Sequence, residues 1–208
     1  MNHTAPSRLS RESVMRAALA LLNEVGIDGL STRRLADKLG VQSPTLYWHF
    51  KNKAELLEAM AETIMQEQHQ QALPHKDQPW QEWFVANAHS FRKGLLAYRD
   101  GARLHAGTRP RGAHLDAIEA KLGVLCAAGF SPEQAVGLMV AISRFVVGWV
   151  LEEQAEAAAD HTAPANAPDA QAHPLLVRGW QQLLQEDPDQ AFDRHIRYLV
   201  AGAQTPQH

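Results

Sequence analysis

The stretch from Pro132 to about Gln154 constrains this chain most. It opens with a clear stop and restart, Gly129-Phe-Ser-Pro-Glu-Gln134. Gly129 suits a C-cap and Ser131 an N-cap. Pro132 fits the first helical position, where no N–H is needed, and Gln134 can reach back to the cap. In the helix that follows, Val136, Leu138, Met139, Val140, Ile142, Phe145, Val146, Val147, Trp149, Val150 and Leu151 cover almost every face. A helix that is apolar all round must be covered on all sides. The chain's own core covers part of it, and a second copy is expected to cover the rest. No uninterrupted apolar run reaches the roughly 18 residues of a membrane span, so no membrane partner is expected.

Helix punctuation recurs along the chain, without repeats and without strand alternation. Ser10 caps a helix to about Val25, with Val14, Ala17, Ala18, Leu21, Leu22 and Val25 at helical spacing and Gly26 and Gly29 as breaks. Ser31 caps a second helix to Leu39, stopped by Gly40. Asn52-Lys-Ala-Glu55 opens a long helix to about Gln71. Further helices are read over Pro79–Tyr98, Ala102–Ala106, Ala113–Ala128, Pro174–Gln185 and Pro188–Ala203. The expected fold class is therefore all-α, with about ten helices. Residues 155–173 hold no large apolar side chain, which predicts a mobile loop.

Between Gly40 and Asn52 lies Ser43-Pro-Thr-Leu-Tyr-Trp-His-Phe50. Ser43 can cap and Pro44 can start a short helix to His49. A short helix with Thr45, Tyr47 and His49 exposed, preceded by a basic helix and a Gly turn, points to helix-turn-helix contact with DNA. Trp48 is assigned to packing within this unit. Five basic residues (Arg33, Arg34, Lys38, Lys51, Lys53) face one acidic residue (Asp37) between Ser31 and Lys53. That is a phosphate footprint, although the whole chain carries a formal net charge of -3. The lone Cys126 excludes an internal disulfide and fits a reducing cytoplasm. Met1 to Ser7 has no apolar core of the kind a signal peptide carries.

Arg11-Glu-Ser-Val14, Ala18-Leu-Ala-Leu-Leu-Asn-Glu24, Leu35-Ala36, Lys38-Leu-Gly40 and Pro44-Thr-Leu-Tyr-Trp-His49 with Asn52-Lys53 resemble the TetR family of transcriptional regulators. Downstream, Ser90-Phe91-Arg92, Tyr98-Arg-Asp-Gly-Ala102, His105-Ala-Gly-Thr-Arg-Pro110, Val147-Gly148 and Leu151-Glu152-Glu153-Gln154 resemble the effector domain of that family's tetracycline-responsive branch. The resemblance covers residues 7–156 well and the remainder loosely. It implies a helix-turn-helix DNA-binding domain over 1–53, a connecting helix over 54–71, and an effector-binding and dimerisation domain over 72–208. It also implies a homodimeric repressor, released from operator DNA by tetracycline bound together with Mg2+. His105 would hold the metal, while Thr108, and Glu152 from the partner subunit, would hold its waters. His69 and Asn87 would hydrogen-bond the drug. Phe91, Ile118, Val136, Met139, Leu175 and Leu183 would pack on its rings, and Arg109 and Pro110 would form a turn that moves. On DNA, Arg33 suits a guanine, since paired Arg–guanine hydrogen bonds are the commonest specific contact. Thr32, Thr45, Tyr47, His49 and Lys53 would touch phosphates or thymine methyl groups, beside Ser43 and Pro44.

Two departures from the family pattern stand out. Ser43 replaces a Gln before the Pro, and its shorter side chain cannot pair with adenine, which suggests a variant operator. Lys121 replaces a Gln in the drug site, and a Lys only donates and carries charge. It would pair with the drug's anionic enolate, with Asp116 or Glu119 on its own helix, or with a different ligand. Hence a second reading keeps the regulator and changes the effector to another polycyclic or hydrophobic compound. A third, a metal-dependent enzyme built on His69, His105 and Glu152, lacks any nucleophile or base in a motif of recognised spacing. Isolated His89, His114 and His195 are read as surface or satisfied core residues.

Overall fold

The computed structural model of the chain describes residues 9–109, 113–159 and 168–203, without the side chains of Ala113, Gln182 and Leu184. Among the described residues there are ten helices and no strand. Two long helices and two short ones build the first part: α1 (Arg11–Gly29), α2 (Thr32–Leu39), α3 (Ser43–Leu46) and α4 (Lys53–Gln68). The remainder comprises α5 (Trp80–Leu96), α6 (Gly101–Ala106), α7 (Ala113–Ala127), α8 (Pro132–Ala158), α9 (Pro174–Leu184) and α10 (Pro188–Gly202).

The helix starts follow local capping chemistry. Ser10 and Ser131 each accept from the backbone three residues on, and the third residue returns the bond. Ser31 and Asn52 accept in the same way from Arg34 and Glu55. At α3 the cap is Gln42, without a side-chain bond, so Ser43 lies inside the helix and is not its cap. Tyr47, Trp48 and His49 continue as turns. Gly26 breaks α1, as its sequence suggests. It sits at φ 70 within it, a left-handed kink that glycine takes without steric cost, and the helix resumes to Gly29.

One buried cluster runs from α1 (Val14, Leu22) through α4 (Met60, Ile64) and α5 (Trp83, Phe84) to α8 and α10 (Val146, Phe192, Ile196). Buried Arg92 on α5 ties this centre together, donating to Glu153 on α8 through Nε and Nη2 and to Asp189 on α10 through Nη1. The Trp83 indole donates to the Ala72 carbonyl at 2.8 Å and fixes the connector after α4 against α5.

α8 is the apolar helix expected from the sequence. α8 is, among the described residues, the one helix long and apolar enough to cross a membrane. Ser143 and Arg144 interrupt its apolar residues, so no unbroken run reaches the length of a membrane span, and core helices pass the same test of length and composition. One chain does not bury it on every side. Ala135, Ile142, Val146 and Val150 are buried, whereas Val136 and Val140 stay exposed. α8 also extends to Ala158, into the stretch expected to be loop; residues 160–167 of that stretch lie outside the described residues.

Candidate ligand cavity and DNA-facing surface

Trp48 is 89% exposed, so it does not pack the helix-turn-helix unit. Leu46 and Phe50 supply the packing instead, and Trp48 points to solvent beside Tyr47. Arg33, Pro44 and Lys53 are exposed, and Thr32, Ser43, Thr45 and His49 are half-buried. Arg11 donates to the His49 carbonyl at 2.8 Å and lies 4.4 Å from the Phe50 ring centre, fixing the turn after α3 against α1. Lys38 is held by Glu24 at 2.6 Å. Arg33 has no ion-pair partner among the described residues, which leaves its guanidinium free for a base edge or a phosphate.

Behind this unit, α4, α5, α6, α7 and α8 enclose a cavity of about 610 Å³. That is the size of a drug-like ligand site. The expected ligand residues His69, Asn87, Phe91, Arg109, Ile118, Lys121, Val136 and Met139 all line it, with His105 and Thr108. Pro110 lies outside the described residues. Leu175 and Leu183 do not line it: they border a separate shallow groove on α9, with Leu175 83% exposed. Glu152, exposed on α8, is not in its lining either. Within one protomer these three cannot reach the ligand position expected of them.

The cavity is apolar in the middle and polar at one end. Phe91 stands between two imidazoles, 5.6 Å from His69 and 5.0 Å from His105, edge to face with the latter. Asn87 Oδ1 and His105 Nδ1 are buried with no hydrogen-bond partner among the described residues. Unmet buried polar atoms are rare, and in a cavity they mark where a ligand atom belongs. Burial, with a smaller contribution from His114, pulls His105 down to about 4, so its imidazole is neutral at pH 7, the form that ligates metals. Thr108 donates its hydroxyl to the His105 carbonyl at 2.8 Å and closes the turn after α6. His69 is pulled to about 3 by burial first and then by the Lys121 charge.

Lys121 does not pair with Asp116 or Glu119, both exposed on its own helix. Its Nζ lies 2.6 Å from His69 Nε2, and His69 Nδ1 lies 3.0 Å from Ser90 Oγ. His114, read from sequence as a surface or core histidine, lines the cavity too, with Glu62 and Arg144. No spacing in the sequence flags His114; it arrives through the packing of α7.

The magnesium expectation meets a mixed donor set. No group of three His, Cys, Asp or Glu able to hold a metal occurs among the described residues of one protomer. The residues present fit a metal that arrives with a chelating ligand, because magnesium takes oxygen ligands and keeps waters. One neutral imidazole and the Thr108 hydroxyl are what this chain can add.

The short helix α6 links this site to α1. His105 lies at its cavity end. At its other end Asp100 accepts from the Ile27 N–H at 2.8 Å and Arg103 grips Asp28 with two bonds of 2.9 Å. Gly101 permits the contact with α5, since a Cβ there would sit 2.1 Å from the Leu95 carbonyl oxygen.

A helix-turn-helix unit joined through packed helices to a ligand-sized cavity defines the class of one-chain, ligand-responsive regulators. A model of the bacterial regulatory proteins of the tetR family matches residues 14–60, and one of the tetracyclin repressor-like C-terminal domain matches residues 73–206. The class A tetracycline repressor from transposon 1721 of Escherichia coli is 47% identical over 196 residues, 94% of this chain and 91% of that protein. The crystal structure of TetR from Acinetobacter baumannii AYE is 44% identical, with a TM-score of 0.76 over 94% of this chain and 96% of that one. Class A TetR in complex with 5a,6-anhydrotetracycline and magnesium is 43% identical, with a TM-score of 0.72 over 94% and 98%. The chain belongs to the tetR family, and it is a transcriptional regulator, not an enzyme.

Proposed function

We propose that this chain is a homodimeric repressor that binds operator DNA in the cytoplasm and is released by a tetracycline carried in with magnesium. The observation that supports it most is the cavity itself, which gathers Asn87, Phe91, His105, Thr108, Ile118 and Met139 around two unmet polar atoms. A similar chain has been solved with anhydrotetracycline and magnesium bound. The metal, when bound, would neutralise the drug's chelating oxygens. His105 would supply one ring nitrogen and Thr108 a hydroxyl to a metal-bound water. Asn87 would hydrogen-bond the drug and Phe91, Ile118, Val136 and Met139 would pack on its rings.

The dimer supplies what one protomer lacks. Leu175 and Leu183 on α9, and Glu152 on α8, are exposed, as are Tyr198 and Leu199 on α10. With a second copy packed on these residues, Leu175, Leu183 and Glu152 would meet the partner's cavity. On DNA, Arg33 would read a guanine while Thr32, Thr45, Tyr47, His49 and Lys53 hold the backbone or thymine methyls. Ser43 and Pro44 would set the start of the reading helix. Effector and DNA communicate through α6, which touches both His105 and α1, and through α4, which runs from Lys53 at the DNA unit to His69 at the cavity. Ligand-driven movement at Arg109 and Pro110 would shift both.

Drug fluorescence titrated with and without magnesium tests this reading. Wild type is expected to bind tetracycline tightly only with the metal present, and His105→Ala to lose that metal dependence. Binding without metal, or a normal metal response in His105→Ala, contradicts it. A second reading, favoured by the Lys121–His69 contact, keeps the repressor and replaces the drug by another planar polycyclic ligand.

A further inference from the structure

Lys121, His69 and Ser90 form a directed chain, of which Lys121 and His69 line the cavity. A charged Lys only donates, so His69 Nε2 accepts from Lys121 at 2.6 Å. The ring proton then sits on Nδ1 and is donated to Ser90 Oγ at 3.0 Å. Both nitrogens of His69 are therefore used, and the ring has no free polar atom for a ligand. Two of the three N–H bonds of Lys121 remain. Lys121 lies within the cavity lining, and no carboxylate comes within ion-pair distance of it among the described residues. The other charged or titratable groups of that lining are Glu58 and Glu62 on α4, His105 on α6, Arg109, His114 on α7 and Arg144 on α8. A half-buried cation without a counter-ion at ion-pair distance is unfavourable, and the cavity leaves that counter-ion to be brought by the occupant.

We infer that Lys121 selects effectors carrying an ionised acidic oxygen, with His69 and Ser90 as the positioning residues that aim it. The ligand class is a planar polycyclic compound, matched to Phe91, Ile118 and Met139, with an enolate, phenolate or carboxylate at one edge. A neutral amide could accept a hydrogen bond from Lys121 but would not offset its charge. Charge-assisted bonds are shorter and stronger than neutral ones, so the difference reads out as selectivity. Burial lowers Lys121 to about 8, which still leaves it mostly protonated at pH 7. The inference rests on the cavity being the effector pocket, and not on tetracycline or magnesium.

The test uses the full chain and two matched probes without metal, anthraquinone-2-carboxylate and anthraquinone-2-carboxamide, measured by calorimetry at pH 7. Wild type is expected to prefer the carboxylate by about tenfold or more, and Lys121→Gln to bring the two within about threefold. His69→Gln, whose Oε1 can accept where Nε2 does, keeps the preference; His69→Leu reduces it. A thermal melt of each variant shows that it is folded. Equal affinities in wild type, binding of neither probe, or a preference retained in Lys121→Gln overturns the inference. Failure of tetracycline with magnesium to release DNA, alongside an intact carboxylate preference, sinks only the tetracycline reading.

Discussion

Burial decides which side chains in the cavity carry charge. His69 and His105 are held to about 3 and about 4, and burial is the larger cause for both. An unfolded histidine takes its proton near 6.5. As pH falls below that value, the unfolded chain binds protons that the native cavity refuses, and stability drops from about 6.5 down to about 4 for His105 and about 3 for His69. Thermal melts at stepped pH are expected to show this decline, and His69→Gln to flatten it; an unchanged slope in the variant contradicts the assignment. Lys121 has the same sign at the alkaline end. Its folded value, about 8, lies below the ordinary 10.5, so its burial is unfavourable below pH 8 and the penalty fades as pH rises through 10.5. Lys121→Met is expected to raise the melting temperature at pH 7 and to lose that gain by pH 10.5. The resemblance named His69 as a drug contact and Lys121 as a departure. Their contact spans 52 positions, and no local pattern encodes it.

Helix boundaries were legible because caps act over three residues. Ser10, Ser31, Asn52 and Ser131 each hold a backbone N–H three positions on, and each was readable as a start. Gly26 was legible too, as a glycine whose positive φ interrupts the helix. Trp48 misled because hydrophobicity alone assigns a Trp to packing, whereas the Leu46 and Phe50 positions already fill that core. Tertiary staples were not legible at all. Arg92 joins α5, α8 and α10 across 61 and 97 positions. Removing it strands Glu153 beside the core, although Asp189 stays largely in water. Arg92→Ala is expected to cost about 2–4 kcal/mol in urea unfolding. A loss below about 0.5 kcal/mol would show that the staple is ornamental. α6 carries a different prediction. Arg103→Ala breaks its grip on Asp28 while leaving the cavity lining intact. Effector affinity is expected to hold, and the ratio of DNA affinities without and with effector to shrink. An unchanged ratio would mean that coupling runs through α4 alone.

At the scale of the molecule, the apolar faces of α9 and α10 call for a second copy. Tyr198, Leu199 and Leu176 are exposed in one protomer outside the cavity, with Tyr198 at 65%. Leu199→Glu would place a charge in that face. Sedimentation is expected to show a monomer, with DNA affinity lost because two reading helices no longer act together. A variant that remains dimeric would place the interface elsewhere. Fold class was readable from punctuation and from the all-round apolar helix. The exposure of Leu175 and Leu183 outside the cavity was not, because their place depends on how α9 packs and no local pattern encodes that.

The most direct measurement is the release of DNA. A labelled duplex, selected by the protein from a random pool, is bound and followed by fluorescence anisotropy during titration with anhydrotetracycline. The account predicts that drug and magnesium together free the duplex, that neither does so alone, and that His105→Ala holds the DNA throughout. A duplex that stays bound with both present would contradict it.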